Sequence, residues 1–193
     1  MLGKKEFDRT ILTVSDRATR IETFGALLAK ASKTGSSMVI AGGSAITIYT
    51  HGKWTSDDVD IVGPKEKIIP VLERWGFQRE DDPDDHCVYW NRDDLGLSVD
   101  LLNRSPASGS GRSGVPRTIT TSHGPVRAAA VEDLIVRRLV FWSRDGKREL
   151  MDQAVVMFES NRDEIDVEYI EGEVRWEGVQ PAYEELRRLA GVD

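Results

Sequence analysis

The chain has 193 residues, of which 39% are hydrophobic and 31% are charged, which is the composition of an ordinary folded domain. Its net charge of −7 excludes a protein that is basic over its whole surface. No stretch approaches the ~20 consecutive apolar residues that a membrane span needs, so we expect no membrane partner. The single cysteine, Cys87, excludes an internal disulfide framework and predicts a cytoplasmic protein.

Hydrophobic spacing predicts the secondary structure in chain order. Helices alternate with short strands through the first part, namely helix 17–32, strand 38–41, helix 45–51, strand 59–62 and helix 65–75. An acidic turn at 80–85, strands at 87–91 and 97–102, and a hairpin of 118–121 with 126–129 follow. From residue 131 onward the pattern is helical, over 131–142, 148–160, 167–176 and 181–190.

This order predicts an α+β fold. We expect a mixed β-sheet core flanked by helices in residues 1–130, and a helical carboxyl-terminal subdomain in residues 131–193 that packs with the core as one unit. Residues 145–193 hold fourteen acidic and six basic side chains, a balance of −8, which leaves +1 for residues 1–144. Residues 103–127 hold four arginines and no acid, so a nucleic-acid partner stays open for this part of the chain.

Two carboxylates in the predicted strand 59–62 and just before it indicate a metal site. Asp58 and Asp60 are separated by one apolar residue, so both side chains project from the same face of the strand. Carboxylates held side by side repel each other unless a cation lies between them. Mg²⁺ prefers oxygen ligands and usually takes one or two carboxylates together with substrate phosphates. The pair is therefore predicted to bind a divalent cation.

A short polar turn, Gly42-Gly43-Ser44, separates the predicted strand 38–41 from the helix that follows. Backbone N–H groups and a hydroxyl at a helix N-terminus form a favourable phosphate site. Glycines allow the backbone to approach a phosphate closely. The turn matches neither a P-loop nor a dinucleotide-binding fingerprint.

A third carboxylate, Asp100, lies inside the apolar strand 97–102. A charge at such a position needs a partner or a metal. If this strand lies beside residues 59–62, the carboxylates of Asp58, Asp60 and Asp100 converge. Together they would hold two metal ions, one on a triphosphate and one that activates an attacking hydroxyl.

The order of these motifs resembles the polymerase-β-like nucleotidyltransferase superfamily, in which a Gly-Gly or Gly-Ser pair precedes an Asp-x-Asp strand. Thirteen residues separate Ser44 from Asp58, which matches the family spacing, and Asp100 takes the place of the third carboxylate. The sequences around both motifs are most similar to AbiEii-type and MenT-type toxins. Residues 131–139, Val-Glu-Asp-Leu-Ile-Val-Arg-Arg-Leu, resemble the family helix Glu-Asp-Leu-Ile-x-x-Lys-Leu, with Arg138 in place of the lysine that contacts the triphosphate.

The resemblance implies a nucleotidyltransferase core and transfer of a nucleoside monophosphate from an NTP to a hydroxyl, with release of pyrophosphate. It implies that Asp58 and Asp60 bind Mg²⁺, with two ions expected and Mn²⁺ as an alternative. Asp100 would complete the second metal site and help to deprotonate the acceptor. The residues expected to bind the nucleotide are Gly42, Gly43, Ser44 and Arg138.

The acceptor stays open at this stage. A toxin-like protein would modify a tRNA 3′ end and have a cognate antitoxin as partner. An enzyme of the aminoglycoside or lincosamide type would modify a small molecule, and the acidic residues 145–193 suit a cationic acceptor. Protein nucleotidylation is a third activity, and a non-catalytic module that binds a partner through the same fold is the alternative from a different class.

Overall fold

The computed structural model describes residues 2–81, 88–102 and 110–192, and these cluster into two compact units. The first unit holds the described residues up to 102 together with 117–128, and the second holds 110–116 and 129–192. The segment 110–116 thus belongs to the same compact unit as the helical residues, and the predicted division at residue 130 stays a prediction. Cys87 lies outside the described residues.

The first unit is built on one mixed sheet. Its strands are β1 (Val39–Ile40), β2 (Asp58–Val62), β3 (Gln78–Asp81), β4 (Val88–Arg92), β5 (Leu97–Leu102), β6 (Arg117–Thr121) and β7 (Gly124–Ala128). Among the described residues the strand order is β3-β4-β5-β2-β1-β7-β6. β2 is parallel to β5, β1 is parallel to β7, and the remaining neighbours are antiparallel. The two strands with the predicted carboxylates therefore occupy the middle of the sheet.

The described residues of the first unit also form four α-helices, namely α1 (Lys4–Leu12), α2 (Arg17–Ser32), α3 (Gly42–Tyr49) and α4 (Lys65–Arg74). α2 contacts α3, α4 and β7, and Gly25 lets it approach the sheet, since a Cβ there would lie 2.6 Å from Ile40. An aromatic cluster fixes α1. The ring of Phe7 stacks on Trp75 with a centroid distance of 4.1 Å, and both side chains are fully buried.

The α+β prediction is confirmed, with differences at particular elements. α2 and β5 have the predicted bounds, and the predicted hairpin is formed by β6 and β7. α1 and β3 were not predicted, and β3 takes in Glu80 and Asp81, which were expected in an acidic turn; residues 82–85 of that turn lie outside the described residues. Within the described ranges, no helix is both long enough and apolar enough to cross a membrane.

The second unit is helical, with α5 (Val131–Asp145), α6 (Arg148–Ser160), α7 (Val167–Glu177) and α8 (Gln180–Leu189). Buried acidic side chains tie the segment 110–116 to these helices. Asp133 accepts hydrogen bonds from the backbone N–H of Gly114 at 2.9 Å and from the hydroxyl of Tyr169 at 2.6 Å. Glu173, which is 1% exposed, accepts one from Ser110 at 2.6 Å. These bonds explain why the segment clusters with the helices.

Asp133→Ala is expected to destabilise the protein by about 1–3 kcal/mol, because the Gly114 N–H and the Tyr169 hydroxyl lose their acceptor. The measurement is the free energy of unfolding from a denaturant titration. Asp145→Ala, on the same helix but at an exposed ion pair with Arg144, is the matched control and should change it little. Equal effects of the two substitutions would contradict a stabilising role for Asp133.

Candidate active site

The two acidic strands of the sheet lie side by side. The parallel register of β2 and β5 pairs Asp58 with Ser98 and Asp60 with Asp100. Paired residues face the same side of a sheet, and Asp58, two residues from Asp60, shares that side. Asp58 and Asp60 are partly exposed, whereas Asp100 is only 6% exposed. The strand adjacency required for the three carboxylates to converge is therefore present.

Helix α3 begins directly beside β2, at Gly42 rather than at the predicted residue 45. Gly42 has a φ of +50°, and a Cβ on it would lie 2.3 Å from Oδ2 of Asp60. A Cβ on Gly43 would lie 2.7 Å from Oγ of Ser56. The backbone N–H of Ser44 donates to Oδ2 of Asp60 at 3.3 Å. Both glycines are required by this close approach, and the Asp60 carboxylate caps the N-terminus of α3.

The Ser44 side chain joins α3 to β2. Its hydroxyl donates to the carbonyl oxygen of Asp58 at 2.8 Å and accepts from the backbone N–H of Asp60 at 3.0 Å. Ser44 is fully buried. These two hydrogen bonds hold the hydroxyl against the backbone of β2, and the binding of a nucleotide by Ser44 stays a prediction.

The pKa of Asp60 is raised from its ordinary value of 3.8 to about 6. Burial is the largest cause, followed by the negative charge of Asp58, and Asp100 adds a smaller contribution of the same sign. Hydrogen bonds from the backbone N–H groups of Ser44 and Gly43 lower it in part. The carboxylates therefore repel one another, and a bound cation would relieve that repulsion.

The donor set fits a divalent cation that is shared with a substrate. Within the described part of the chain, no group of three or more His, Cys, Asp or Glu side chains is arranged to hold a metal alone. Mg²⁺ rarely needs such a cage, because it usually combines one or two carboxylates with water and substrate phosphates. Asp58 and Asp60 supply two carboxylates on one strand face, which satisfies that requirement.

Three residues that the sequence analysis did not single out organise the approach to β2. The hydroxyl of Ser56 donates to Oδ1 of Asp58 at 2.6 Å, and its backbone N–H donates to Oγ1 of Thr47 at 3.0 Å. Arg17 donates to the carbonyl oxygens of Ser56, at 2.7 and 2.9 Å, and of Asp57, at 2.8 Å. A signal for Arg17 was available, because a cation directly after a helix N-cap opposes the helix dipole.

Arg138, the last of the predicted nucleotide-binding residues, lies on α5 in the second unit. Its Nε donates to Oε1 of Gln153 at 2.6 Å. The other six predicted site residues belong to the first unit, and that unit brings Gly42, Gly43, Ser44, Asp58, Asp60 and Asp100 to adjacent elements.

The arginines of residues 103–127 were the candidates for contact with a nucleic-acid backbone. Each one that the structure describes contacts another residue of its own unit. Arg112 forms an ion pair with Glu173 at 3.6 Å, Arg117 lies over the ring of Tyr49 at 5.6 Å, and Arg127 donates to the carbonyl of Ser36 at 2.7 Å. Arg104 lies outside the described residues. Contact with RNA through these side chains would compete with these interactions.

Comparison with solved structures identifies the fold. The solution structure of the antibiotic-resistance factor ANT(2'')-Ia matches 89% of this chain and 98% of its own, with 15% sequence identity and a TM-score of 0.53. An antigenic nucleotidyltransferase-like protein from Paracoccidioides brasiliensis matches 90% of this chain and 93% of its own, with 14% identity and a TM-score of 0.56. The chain has a nucleotidyltransferase-like fold. No protein-family model and no curated protein matches the sequence, so the nucleotidyltransferase-like fold rests on structural likeness.

Proposed function

We propose that the protein is a metal-dependent nucleotidyltransferase that moves a nucleoside monophosphate from an NTP to a hydroxyl group. The observation that carries the proposal is the register of β2 and β5, which aligns Asp60 with Asp100 and leaves Asp58 on the same face. The nucleotidyltransferase-like fold supports it, as does the raised pKa of Asp60, which marks a carboxylate cluster in need of a cation.

Each of the three carboxylates has its own proposed role. Asp58 and Asp60 would bind Mg²⁺, or Mn²⁺ in its place, and Asp100 would complete the site for a second ion. Bound ions would neutralise the triphosphate as charge develops on it. The acceptor oxygen forms a bond to the α-phosphorus, the bond from that phosphorus to the pyrophosphate oxygen breaks, and the acceptor proton passes to Asp100.

The remaining residues position the nucleotide. Gly42 and Gly43 lie against Asp60 and Ser56, so a triphosphate bound through a cation on Asp60 would lie next to this turn at the start of α3. Ser44 fixes α3 against β2 through its buried hydroxyl. The resemblance implies that Arg138 binds the triphosphate, with the positive charge of the lysine that stands at this position in the family. Its planar guanidinium favours two-point contact with phosphate oxygens.

The first acceptor that we propose is a tRNA 3′ end, with a cognate antitoxin as protein partner. It rests on the sequence resemblance to AbiEii-type and MenT-type toxins. The described arginines of residues 103–127 already contact other residues of the protein, which argues against a large electrostatic interface with RNA in this segment. The expected RNA contact is therefore limited to the terminal nucleotides.

A cationic small molecule of the aminoglycoside type is the second acceptor. Two observations favour it, namely the balance of −8 in residues 145–193 and the likeness in fold to an antibiotic-resistance factor. Acidic surfaces attract such acceptors and raise their local concentration. Protein nucleotidylation and a non-catalytic partner-binding module are the remaining alternatives.

A transfer assay tests the proposal. Purified protein, Mg²⁺ and each α-labelled NTP are incubated with total tRNA or with a panel of aminoglycosides, and label on each acceptor is measured. We expect label on one acceptor class, dependent on Mg²⁺ or Mn²⁺, absent with Asp60→Asn and retained with Asp57→Asn. Asp57 is the matched control because its side chain is exposed and adjacent to the site.

The outcomes separate the candidates. Label on tRNA supports the toxin-like activity, and label on an aminoglycoside supports the small-molecule activity. Label on protein instead identifies protein nucleotidylation. Absence of nucleotide binding overturns the catalytic proposal and leaves the partner-binding module.

A further inference from the structure

Every polar group of Ser56 has a hydrogen-bond partner in the first unit. Its hydroxyl donates to Oδ1 of Asp58 at 2.6 Å. Its backbone N–H donates to Oγ1 of Thr47 at 3.0 Å, and its carbonyl oxygen accepts two hydrogen bonds from Arg17. A residue held at three points has little freedom, so the hydroxyl presents a fixed donor to the Asp58 carboxylate.

Thr47 extends this network to the glycine turn. The hydroxyl that accepts from Ser56 also donates to the carbonyl oxygen of Gly43 at 3.0 Å. Thr47 is fully buried, so its two bonds are shielded from water. The position of Asp58 is thereby linked to the start of α3 by a continuous chain of hydrogen bonds.

Arg17 closes the network from a distant part of the sequence. Its guanidinium spans two successive carbonyl oxygens, of Ser56 and Asp57, which lie 39 and 40 residues further along the chain. Burial is the main reason why the pKa of Arg17 is lowered, and its position at the start of α2 opposes the helix dipole. Since Arg17 does not favour its own helix electrostatically, its fork-shaped contact with the loop before β2 is the better explanation for an arginine here.

We propose that Arg17 and Ser56 are positioning residues that orient the Asp58 carboxylate for the divalent cation. This inference rests on the proposed function, because it concerns the same carboxylate. The Ser56 hydroxyl fixes Oδ1 of Asp58 and thereby the direction in which Oδ2 points, and Arg17 holds the Ser56 backbone from which that hydroxyl extends. Partners of this kind behind a metal ligand tune affinity as well as geometry.

The test measures Mn²⁺ affinity directly, by electron paramagnetic resonance of free Mn²⁺ during titration of the protein with Mn²⁺ alone. Ser56→Ala is expected to weaken binding by about 10–100-fold. Arg17→Lys keeps the charge but loses the fork, and we expect it to weaken binding by about 10-fold. Thermal unfolding of each variant checks that the fold is retained.

Two matched controls lie in the same unit. Ser37→Ala removes a serine hydroxyl that donates to the carbonyl of Thr34 at 2.7 Å. Arg127→Lys changes an arginine that donates to the carbonyl of Ser36 at 2.7 Å. Both should bind Mn²⁺ like the unchanged protein, because the hydrogen bonds that they change go to the backbone of Thr34 and Ser36 and not to Ser56 or Asp58.

A double variant tests whether Arg17 acts through Ser56. If it does, Ser56→Ala with Arg17→Lys binds Mn²⁺ about as weakly as Ser56→Ala alone, because the second change has nothing left to disturb. Additive losses would overturn the link between Arg17 and Ser56, and unchanged affinity in both single variants would overturn the whole inference. If the unchanged protein binds Mn²⁺ neither alone nor with a non-hydrolysable NTP analogue, the metal-dependent function itself fails, and this inference fails with it.

Discussion

Asp60→Asn is expected to abolish nucleotidyl transfer while making the metal-free protein more stable at neutral pH. Transfer should fall by roughly 10³-fold or more, because a bound cation contributes several kcal/mol of charge stabilisation and loses one of its carboxylates. Stability should rise because the variant removes a buried negative charge that Asp58 and Asp100 repel. If Asp60 only supported the fold, Asp60→Asn would instead lower the free energy of unfolding.

The pH dependence of stability follows from the raised pKa of Asp60. The folded protein binds this proton with a pKa of about 6, whereas the unfolded chain binds it near 3.8. The stabilising contribution of the protonated form is therefore fully present below about pH 4 and is lost as the pH rises through 6. The asparagine does not titrate, so the variant does not lose this contribution as the pH rises. The free energy of unfolding of Asp60→Asn should therefore exceed that of the unchanged protein by an amount that grows from pH 4 to pH 7 and reaches about 1–3 kcal/mol.

Denaturant unfolding of both proteins at pH 4 and pH 7, with and without Mg²⁺, measures these differences. Saturating Mg²⁺ should stabilise the unchanged protein, by about 2.7 kcal/mol at a hundredfold excess over the dissociation constant, and stabilise Asp60→Asn much less. Asp57→Asn, the exposed neighbour, should follow the unchanged protein throughout. If Asp60→Asn is the less stable protein at pH 7 without Mg²⁺, the capping hydrogen bonds to the Asp60 carboxylate outweigh its repulsion by Asp58 and Asp100, which contradicts a strained metal ligand.

The sequence predicted the acidic strands well because their information is local. Alternation of apolar and acidic residues places Asp58 and Asp60 on one face of β2, and the apolar neighbours of Asp100 define β5. The parallel pairing that brings Asp60 opposite Asp100 is a tertiary property. The sequence offered it only as a condition for the three carboxylates to converge, and the resemblance then put Asp100 in the place of the third carboxylate.

The start of α3 was placed three residues late for a physical reason. Two glycines have low helix propensity, so the apolar spacing favoured a start at residue 45. The helix begins at Gly42 because the carboxylate of Asp60, on strand β2, accepts hydrogen bonds from backbone N–H groups at the N-terminus of α3. Arg17 and Ser56 were missed for the same kind of reason, since the contact between them joins residues 39 positions apart.

Helix α1 was missed because its stabilisation also comes from elsewhere in the chain. It contributes only Phe7 and Ile11 to the core, which is too few apolar residues for a clear helical pattern. The stacking of Phe7 on Trp75, at the end of α4, supplies the missing information. The local sequence pattern is therefore sufficient to predict the core strands. A short helix such as α1 cannot be predicted in this way, because its stabilisation comes from tertiary contacts.

Gly42→Ala should eliminate most of the transfer activity through a contact with a single carboxylate. The added Cβ would lie 2.3 Å from Oδ2 and 2.6 Å from Cγ of Asp60, so the carboxylate or the start of α3 must move. A displacement of about 1 Å at reacting groups costs roughly 10²-fold in rate. The free energy of unfolding should fall by about 1–2 kcal/mol for the left-handed backbone and by about 1–3 kcal/mol more for the displacement.

Gly35→Ala is the control for backbone strain. Gly35 has a φ of +53°, close to the +50° of Gly42, but a Cβ there has no atom within 4 Å. It should therefore lose only the left-handed contribution, about 1–2 kcal/mol, and keep full activity. Transfer rate and unfolding free energy, measured for both variants, separate the strain common to both from the contact unique to Gly42. Equal losses in the two variants would mean that Asp60 imposes no constraint on Gly42.

A double variant identifies the partner in that contact. Asp60→Ala removes the Cγ and Oδ2 atoms that the added methyl group would meet. In that background, Gly42→Ala should lower the free energy of unfolding by no more than Gly35→Ala does in the unchanged protein. A remaining excess would assign the clash to another neighbour of α3. If the excess loss disappears, the Asp60 carboxylate is the reason why a glycine is required at position 42. The start of α3 and Asp60 occupy adjoining space, and only a residue without a side chain fits between them.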